Sequence, residues 1–153
     1  MRVQEYMTQD VQWVQPQTKA SEIAKIFANK PFSSLPVVSE SGQVVGIVTE
    51  SDLVSQEIKL EFPSYFQFVD GYFFAPGKLK EFEDKIEHVS KKTAEGLMSS
   101  PVYVVHPDTD LSEVASILME KKISQLPVVD KDKKLLGIIS KGDIVRWMAA
   151  QHA

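Results

Sequence analysis

The chain has 153 residues, a formal net charge of −4 and an apolar fraction of 43%, which is typical of an ordinary globular protein. The acidic balance argues against non-specific nucleic-acid binding, and the lack of cysteine excludes thiol catalysis, disulfides and thiolate metal sites. No apolar run is long enough to cross a membrane, and residues 1–14 carry polar side chains throughout instead of an apolar signal segment. We therefore expect a soluble, cytoplasmic protein that binds neither nucleic acid nor membrane.

The sequence contains an internal duplication. Sliding the chain along itself by 91 residues aligns residues 6–54 with residues 97–145 without a gap, and 19 of these 49 positions are identical. The chain thereby divides into a first repeat (1–55), a segment without counterpart (56–95) and a second repeat (96–153). Because a unit of about 50 residues buries too little surface to be stable alone, we expect the two repeats to pack together.

Each repeat opens with a short apolar segment, at 11–14 or 102–105, followed by a helix. Thr18 or Thr109 stands where an N-cap residue is expected, with a glutamate in the first turn of the helix. Apolar residues then recur with the i, i+3, i+4, i+7 spacing of one buried helix face. They are Ala20, Ile23, Ala24 and Phe27 in the first repeat and Leu111, Val114, Ala115 and Leu118 in the second.

Two short apolar runs follow each helix. They read LPVV and VVGIV in the first repeat and LPVV and LLGII in the second, and the polar turns SESGQ and DKDKK separate them. The runs are continuous, which predicts strands that are covered on both faces. A second helix then begins at Thr49 or Ser140. This order predicts an α/β (α+β) fold made of two β-α-β-β-α repeats.

The start of the second helix carries the same motif in both repeats. TESD (49–52) and SKGD (140–143) fit the [ST]-x-x-[DE] pattern of a capping box, in which hydroxyl and carboxylate cap backbone amides without any ligand. Recurrence of the motif after a glycine-containing strand favours a ligand site instead, because a helix N-terminus attracts anions. A carboxylate can bind a ribose diol, the hydroxyl and amides can face a phosphate, and an apolar cleft can take a base.

The repeated order of these motifs resembles the cystathionine β-synthase (CBS) domain, two of which form a Bateman module. The resemblance rests on a Met-(Thr/Ser) start, LPVV, and a Gly-apolar-apolar-(Thr/Ser)-x-x-Asp turn, over about 100 residues in two blocks. It implies pseudo-twofold symmetry and two clefts that bind AMP, ADP or ATP, or less often S-adenosylmethionine or NAD. By position, it assigns the ribose to Asp52 and Asp143, the ribose or phosphate to Thr49 and Ser140, and the base to Val11 and Val102 with Thr8 and Ser99.

One position departs from the family pattern. Many phosphate-binding relatives have His or Arg just before Leu-Pro, whereas this chain has Ser33-Ser34 and Ser124-Gln125 there. Lys122, Lys141 or backbone amides are then left to meet a phosphate. Since the first motif has Glu50 where the second has Lys141, we expect the Ser140/Asp143 cleft to be the better anion site.

The segment between the repeats is rich in aromatic residues. Residues 62–74 hold seven of the fourteen aromatics of the chain, and residues 79–89 carry an apolar helical face with charges elsewhere. The segment either covers its own module or forms a dimer or partner surface. The resemblance to stand-alone CBS pairs implies a homodimer, to which Trp147 and Met148 could contribute.

The sequence contains no pattern typical of an active site. The three histidines are scattered without metal-ligand spacing, and no nucleophile motif occurs. Asp52 and Asp143 occupy equivalent places in separate copies, which argues against a paired-carboxylate hydrolase. We expect no enzyme and no metal, but a regulatory module that senses an adenine nucleotide and acts on an unidentified effector protein in trans. The alternative is an interaction scaffold whose clefts are vestigial.

Overall fold

The computed structural model describes residues 1–59 and 92–152. A 3₁₀ turn at Val3–Glu5 comes first. The described helices are α1 (Ala20–Asn29), α2 (Glu50–Lys59), α3 (Ala94–Leu97), α4 (Leu111–Glu120) and α5 (Lys141–Gln151), and the strands are β1 (Ser34–Val38), β2 (Val44–Thr49), β3 (Gln125–Val129) and β4 (Leu135–Ser140). The predicted mixed α/β class and its duplicated order are confirmed. The predicted aromatic surface at 62–74 and the helical face at 79–89 lie outside the described residues.

The strands form two antiparallel hairpins, β1 with β2 and β3 with β4. Both registers shift at the same place, after Val37 and after the equivalent Val128, so the duplication extends to a β-bulge. β1 is buried at all five positions, as its continuous apolar run predicts. The same prediction is wrong for β2, where buried and half-buried residues alternate, and for β4, where Leu136 is exposed.

The first predicted strand of each repeat forms isolated bridges, because its two ends pair with different hairpins. Thr8 pairs with Ile138 of the second repeat, whereas Val14 pairs in parallel with Val37 of the first. The second copy does the same in the other direction, because Ser99 pairs with Ile47 of the first repeat and Val105 pairs with Val128 of the second. Each of these segments therefore crosses from one repeat to the other.

The residues that precede each crossing segment complete the core of the opposite repeat. Val3 is fully buried in a cluster with Leu111, Val114 and other apolar residues of the second repeat. Ala94 and Leu97 belong in turn to the cluster around Ile23 of the first repeat. Backbone hydrogen bonds fix the exchange, because Leu111 N donates to Met1 O and Ala20 N donates to Lys92 O. Neither core is assembled from one repeat alone.

The predicted helix caps at Thr18 and Thr109 are wrong by one residue. Both hydroxyls accept a hydrogen bond from the residue three positions earlier, Gln15 N or His106 N, and so close the preceding turn. The N-cap of α4 is Asp110, whose carboxylate accepts from Ser112 N at 2.9 Å. The N-cap of α1 is Lys19, which has no side-chain cap.

The predicted buried face of α1 also needs one correction. Ala20, Ile23 and Phe27 are buried, but Ala24 is exposed and Ile26 packs at the edge of the core in its place. The buried stripe of α1 therefore includes Ile26 and leaves out Ala24. In α4, Leu111, Val114 and Leu118 are buried and Ala115 is half-buried, in agreement with the prediction.

Pairs of residues that are 91 positions apart meet where the repeats join. Val38 and its counterpart Val129 are buried in one small cluster with Val44. Gln43 pairs with its counterpart Lys134 through an antiparallel bridge. Such self-pairing is what a pseudo-twofold axis between two copies produces, so the hairpins of the two repeats lie against each other across this axis.

Candidate functional site

A cavity of about 490 Å³ opens between the two repeats beside the start of α2. Its walls come from the β2–α2 junction of the first repeat, from the crossing segment that follows α3, and from the loop that leads into β3. The first repeat contributes Ser33, Ser34, Ile47, Thr49, Glu50 and Ser51, and the second contributes Ser99, Pro101, Val102, Tyr103, Lys122, Ile123, Ser124 and Gln125.

The crossing segment is held against β2 by a close backbone approach. Ser99 N donates to Ile47 O at 3.0 Å, and the Met98 side chain lies over Gly46 so closely that a Cβ there would overlap with its sulfur. The absence of a Cβ at this position therefore leaves room for the Met98 side chain. The approach places Ser99 and Val102 of the second repeat opposite Thr49 of the first.

The capping box at the start of α2 is formed. Asp52 Oδ2 accepts from Thr49 N at 2.7 Å and from Thr49 Oγ1 at 3.1 Å, and Asp52 N donates back to Thr49 Oγ1 at 3.3 Å. The other carboxylate oxygen, Oδ1, has no hydrogen-bond partner among the described residues. Asp52 is half-buried and is hydrogen-bonded to Thr49, which lines the cavity.

The amides of the first turn of α2 are mostly occupied. Glu50 N donates to Ser33 O at 3.0 Å and Asp52 N donates to the Thr49 hydroxyl, whereas Ser51 N has no partner among the described residues. One amide at the N-terminus of the helix therefore remains available to an anion.

The second capping box has the same geometry and one additional partner. Asp143 Oδ2 accepts from Ser140 N at 2.7 Å and from Ser140 Oγ at 3.0 Å, and Oδ1 pairs with the Arg146 guanidinium. The Asp143 side chain is only 4% exposed. Both oxygens are thus occupied in the second repeat, whereas one is available at Asp52. Ser55 takes the place of Arg146 in the first repeat and donates to Asp52 O.

Ser34 and Gln125, which are equivalent positions, meet on the axis between the repeats. The Ser34 hydroxyl donates to Gln125 Oε1, and Ser34 is 6% exposed. On either side, Ser33 O accepts from Glu50 N and Ser124 O accepts from Lys141 N, so each loop is tied to the first residue of the following helix. The four positions without His or Arg therefore form a neutral, hydrogen-bonded centre.

Three charged groups besides Asp52 lie at the cavity or beside it. Glu50 and Lys122 line it, and the Lys121 ammonium sits 5.1 Å from the centre of the Tyr103 ring. Lys122 adopts a left-handed conformation with φ of 55°, the αL position that commonly follows a helix. The cavity thus combines hydroxyl groups, apolar walls and one charge of each sign.

The structure brings seven of the thirteen predicted site residues to this cavity. They are Ser33, Ser34, Thr49, Ser99, Val102, Ser124 and Gln125. Asp52 adjoins them, whereas Thr8, Ser140, Lys141 and Asp143 belong to the equivalent junction of the second repeat. Val11 lines a second cavity, described below.

Sequence reasoning missed the part of Pro101 and Tyr103 in lining the cavity. A signal was present at Tyr103, because the duplication places an uncharged amide, Gln12, at the equivalent position of the first repeat. An aromatic residue found in one copy only, two positions from the predicted base contact at Ser99 to Val102, indicates a difference between the two clefts.

A scan against protein-family models matches the CBS domain at residues 3–58 and again at 94–150. The chain belongs to the CBS-domain family. The two matches cover both repeats, so the protein contains a tandem CBS pair, as the resemblance in its motifs predicts.

Two relatives support this assignment over most of the chain. The chloroplastic CBS domain-containing protein CBSX1 of Arabidopsis thaliana is 33% identical over 151 residues, which cover 94% of this chain and 62% of that protein. The uncharacterized protein MJ1426 of Methanocaldococcus jannaschii is 28% identical over 130 residues, covering 81% of this chain and 77% of that protein. The chain thus spans less than two thirds of the length of the Arabidopsis relative.

The CBS pair also matches solved structures. The crystal structure of CBSX2 in complex with AMP aligns with a TM-score of 0.75 and 27% identity, over 99% of this chain and 98% of that one. CBSX2 is a CBS-pair protein from Arabidopsis thaliana. The alignment covers both repeats.

The described residues contain neither a membrane-spanning helix nor a metal-binding cluster. No helix within 1–59 or 92–152 is long and apolar enough to cross a membrane. Within the same ranges, no cluster of three or more His, Asp or Glu side chains could hold a metal ion.

Proposed function

We propose that this CBS pair is a regulatory module that binds an adenosine derivative of the AMP type between its repeats. The supporting observation is the 490 Å³ cavity at Thr49 and Ser99, built by both repeats in a chain that aligns from end to end with an AMP-bound relative. The volume falls in the usual range of small-molecule sites, roughly 300–1,000 Å³. The ligand then acts on an effector protein in trans by favouring one arrangement of the repeats.

The chemistry of the walls suits the parts of a nucleoside monophosphate. Ile47, Val102 and Ile123 offer apolar surface for the base. The Thr49 hydroxyl and the unpaired Oδ1 of Asp52 suit the ribose diol, since a carboxylate oxygen is a strong acceptor for hydroxyl groups. A phosphate would meet the Ser51 amide at the N-terminus of α2.

Charge at the cavity favours a short phosphate chain. Glu50 and Lys122 offset each other, and the loops at Ser33-Ser34 and Ser124-Gln125 supply hydroxyl and amide groups only. Because a triphosphate needs more than one cation to offset its charge, AMP should bind at least about tenfold more tightly than ATP. ADP should lie between them, and S-adenosylmethionine and NAD are weaker candidates.

The equivalent junction at Ser140 and Asp143 is the second proposed site. Lys141 is exposed there, so its charge is accessible to an anion. We therefore still expect this side to be the better anion site. Occupying it with a ribose would require Asp143 to exchange its bond to Arg146. The two sites therefore differ in what each must give up on binding.

Isothermal titration with AMP, ADP, ATP, S-adenosylmethionine and NAD tests the proposal. The decisive variants are Asp52→Asn and Asp143→Asn, each the matched control of the other, because asparagine keeps an acceptor for the capped amide and removes the charge. Loss of AMP binding in Asp52→Asn alone places the ligand at Thr49. Loss in Asp143→Asn alone moves it to the Ser140 side. A folded wild-type protein that binds none of the five ligands would overturn the proposed function.

A second candidate, an interaction scaffold, is favoured by an exposed apolar surface on the last helix of each repeat. Val54 on α2 and its counterpart Val145 on α5 are 55% and 62% exposed, and Met148 lies one turn beyond Val145 at 55%. We propose that these faces pair two copies of the chain into a homodimer. Val145→Asp should then halve the mass measured by light scattering, whereas Met119→Asp, at a residue 70% exposed on α4, should leave it unchanged.

A further inference from the structure

A second cavity of about 460 Å³ lies away from both capping boxes, on the side of the first crossing segment. Val11 and Trp13 form one wall, and Val38, Leu135 and Leu136 from the two hairpins supply further apolar surface. The Trp13 side chain is 46% exposed and Leu136 is 38% exposed. A large aromatic surface is therefore presented to solvent at the mouth of an apolar hollow.

The equivalent place in the second repeat has different side chains. Val102 and Val104, the counterparts of Val11 and Trp13, pack on the cluster of Val38, Val44 and Val129 between the repeats. The His106 ring lies next to this cluster, and its Nδ1 is 3.0 Å from Val129 O.

In the first repeat, His106 is replaced by Gln15, whose side chain bonds instead to Gln17. An indole is also much larger than the valine side chain that fits the layer at Val104. Two substitutions therefore distinguish the lining of this cavity from the equivalent place in the second repeat.

Opposite charges line this cavity together. Glu40 and Lys134 both contribute to its walls, and neither forms a salt bridge among the described residues. The Asp130 carboxylate accepts hydrogen bonds from the backbone amides of Asp132 and Lys134 and also interacts with the Lys134 charge, although it forms no salt bridge with it among the described residues. The residue equivalent to Glu40 is Lys131, and the residue equivalent to Lys134 is Gln43. The symmetry-related place therefore lacks this pair of opposite charges.

We propose that this cavity binds a free α-amino acid with an apolar side chain. Lys134 binds the carboxylate, Glu40 binds the ammonium group, and the side chain packs on Trp13 and the aliphatic floor. The match rests on three features of one cavity: the apolar side chains in its lining, an exposed indole and one charge of each sign that forms no salt bridge among the described residues. The site shares no lining residue with the cavity at Thr49, and it meets the proposed second nucleotide cleft only at Val11.

Titration with L-phenylalanine and L-leucine, followed by Trp13 fluorescence, tests this proposal in the full chain. The background variant is Trp147→Phe, which leaves Trp13 as the one tryptophan. The substitution is mild because Trp147 Nε1 is buried and has no hydrogen-bond partner among the described residues, so no such bond is lost. A saturable change in emission is expected with both amino acids, and calorimetry on the wild-type chain should give the same affinity.

Ligand analogues and side-chain variants then assign each contact. Phenethylamine lacks the carboxylate and 3-phenylpropionate lacks the ammonium group, so each should bind at least about tenfold more weakly than phenylalanine. Lys134→Met and Glu40→Gln should reproduce these two losses, and Lys131→Met is the control that should change nothing. Trp13→Val with Gln15→His, which restores the side chains of the second repeat, should abolish binding without loss of thermal stability.

Two results would overturn the proposal. One is the absence of any fluorescence or heat signal with either amino acid up to about 10 mM, beyond the weakest affinities typical of specific sites. The other is binding that survives both Lys134→Met and Glu40→Gln unchanged, because the opposite charges would then play no part.

Discussion

In the first repeat Asp52 uses one carboxylate oxygen to cap Thr49, whereas in the second repeat Asp143 caps Ser140 and also holds Arg146. The crossing segments also differ in exposure. Val102 and Val104 of the second repeat pack between the repeats, whereas Trp13 of the first repeat is exposed. The backbones of the two copies repeat each other down to the β-bulge. Duplication has thus preserved the backbone of the two repeats, whereas the side chains around the cavities have diverged. Each cavity therefore has a different chemistry.

The largest expected contrast concerns the glycines beneath the crossing segments. A Cβ at Gly137 would lie 2.6 Å from the Thr8 carbonyl oxygen, which is backbone held by two hydrogen bonds to Ile138. A Cβ at Gly46 would meet mainly the Met98 side chain, which can move. Gly137→Ala should therefore cost about 3 kcal/mol of unfolding free energy and Gly46→Ala about 1 kcal/mol, measured in urea.

Gly96→Ala is the control for this pair, because nothing lies within 4 Å of a Cβ there. It should be neutral or slightly stabilising, as alanine is the better helix former. Equal costs at Gly46 and Gly137 would contradict the asymmetry of the two crossings.

The next contrast concerns the two capping boxes. Asp143→Ala removes a buried cap and leaves Arg146 without its partner, and should cost about 2 kcal/mol, whereas Asp52→Ala removes a half-buried cap and should cost about 1 kcal/mol. Denaturant titration of both variants measures the difference. Arg146→Gln, which keeps the cap, should account for less than half of the Asp143→Ala effect. If Arg146→Gln costs as much as Asp143→Ala, the ion pair and not the cap stabilises α5.

A smaller contrast concerns the hairpin turns. Gly42 has φ of 88° in the first turn, and the equivalent Lys133 has φ of 66° in the second. Because glycine adopts this region without steric cost, Lys133→Gly should stabilise the protein by about 0.5–1 kcal/mol and Gly42→Lys should destabilise it by about 1 kcal/mol. The two thermal midpoints should therefore move in opposite directions, and a shift of the same sign would show that turn conformation does not control them.

The smallest contrast is a pH effect at the helix caps. The Ser112 hydroxyl and then the Ser112 amide donate hydrogen bonds to Asp110 and lower the pKa of its carboxyl group below the ordinary value. A lowered folded-state pKa contributes stability above about pH 4, which is lost as the pH falls through the folded pKa. Wild type should thus unfold at a slightly higher temperature than Asp110→Asn at pH 7, and the gap should close towards pH 3. A gap that widens on acidification would contradict the assignment.

The fold could be predicted from the sequence because its signals are local and occur twice. The apolar stripes, the LPVV runs and the glycine before each capping box give the helices and hairpins in both copies. What the sequence could not supply is where segments pair when the partner is distant. Nothing around Thr8 or Ser99 indicates that each crosses to the opposite hairpin, and this crossing determines which residues face Thr49.

The candidate site was predictable to the same extent. Ser33, Thr49 and Ser124 come together because their motifs lie at the same place in each repeat. The pairing of Asp143 with Arg146 depends on a residue one helical turn away that the first repeat lacks, and the opening beneath Trp13 depends on packing across the axis. Motif reasoning treats equivalent positions alike, so it does not detect differences of this kind.

The exchanged segments have a consequence for the order in which the chain can fold during synthesis. Arg2 reaches the carbonyl of Asp108 across 106 positions, and Val3 is buried among residues of the second repeat. At elongation rates of about 5–20 residues per second, these first residues emerge several seconds before their binding surface exists. Contacts of such long range slow folding. The nascent first repeat, still without Ala94 and Leu97, carries an open core during that interval, when a chaperone could bind it.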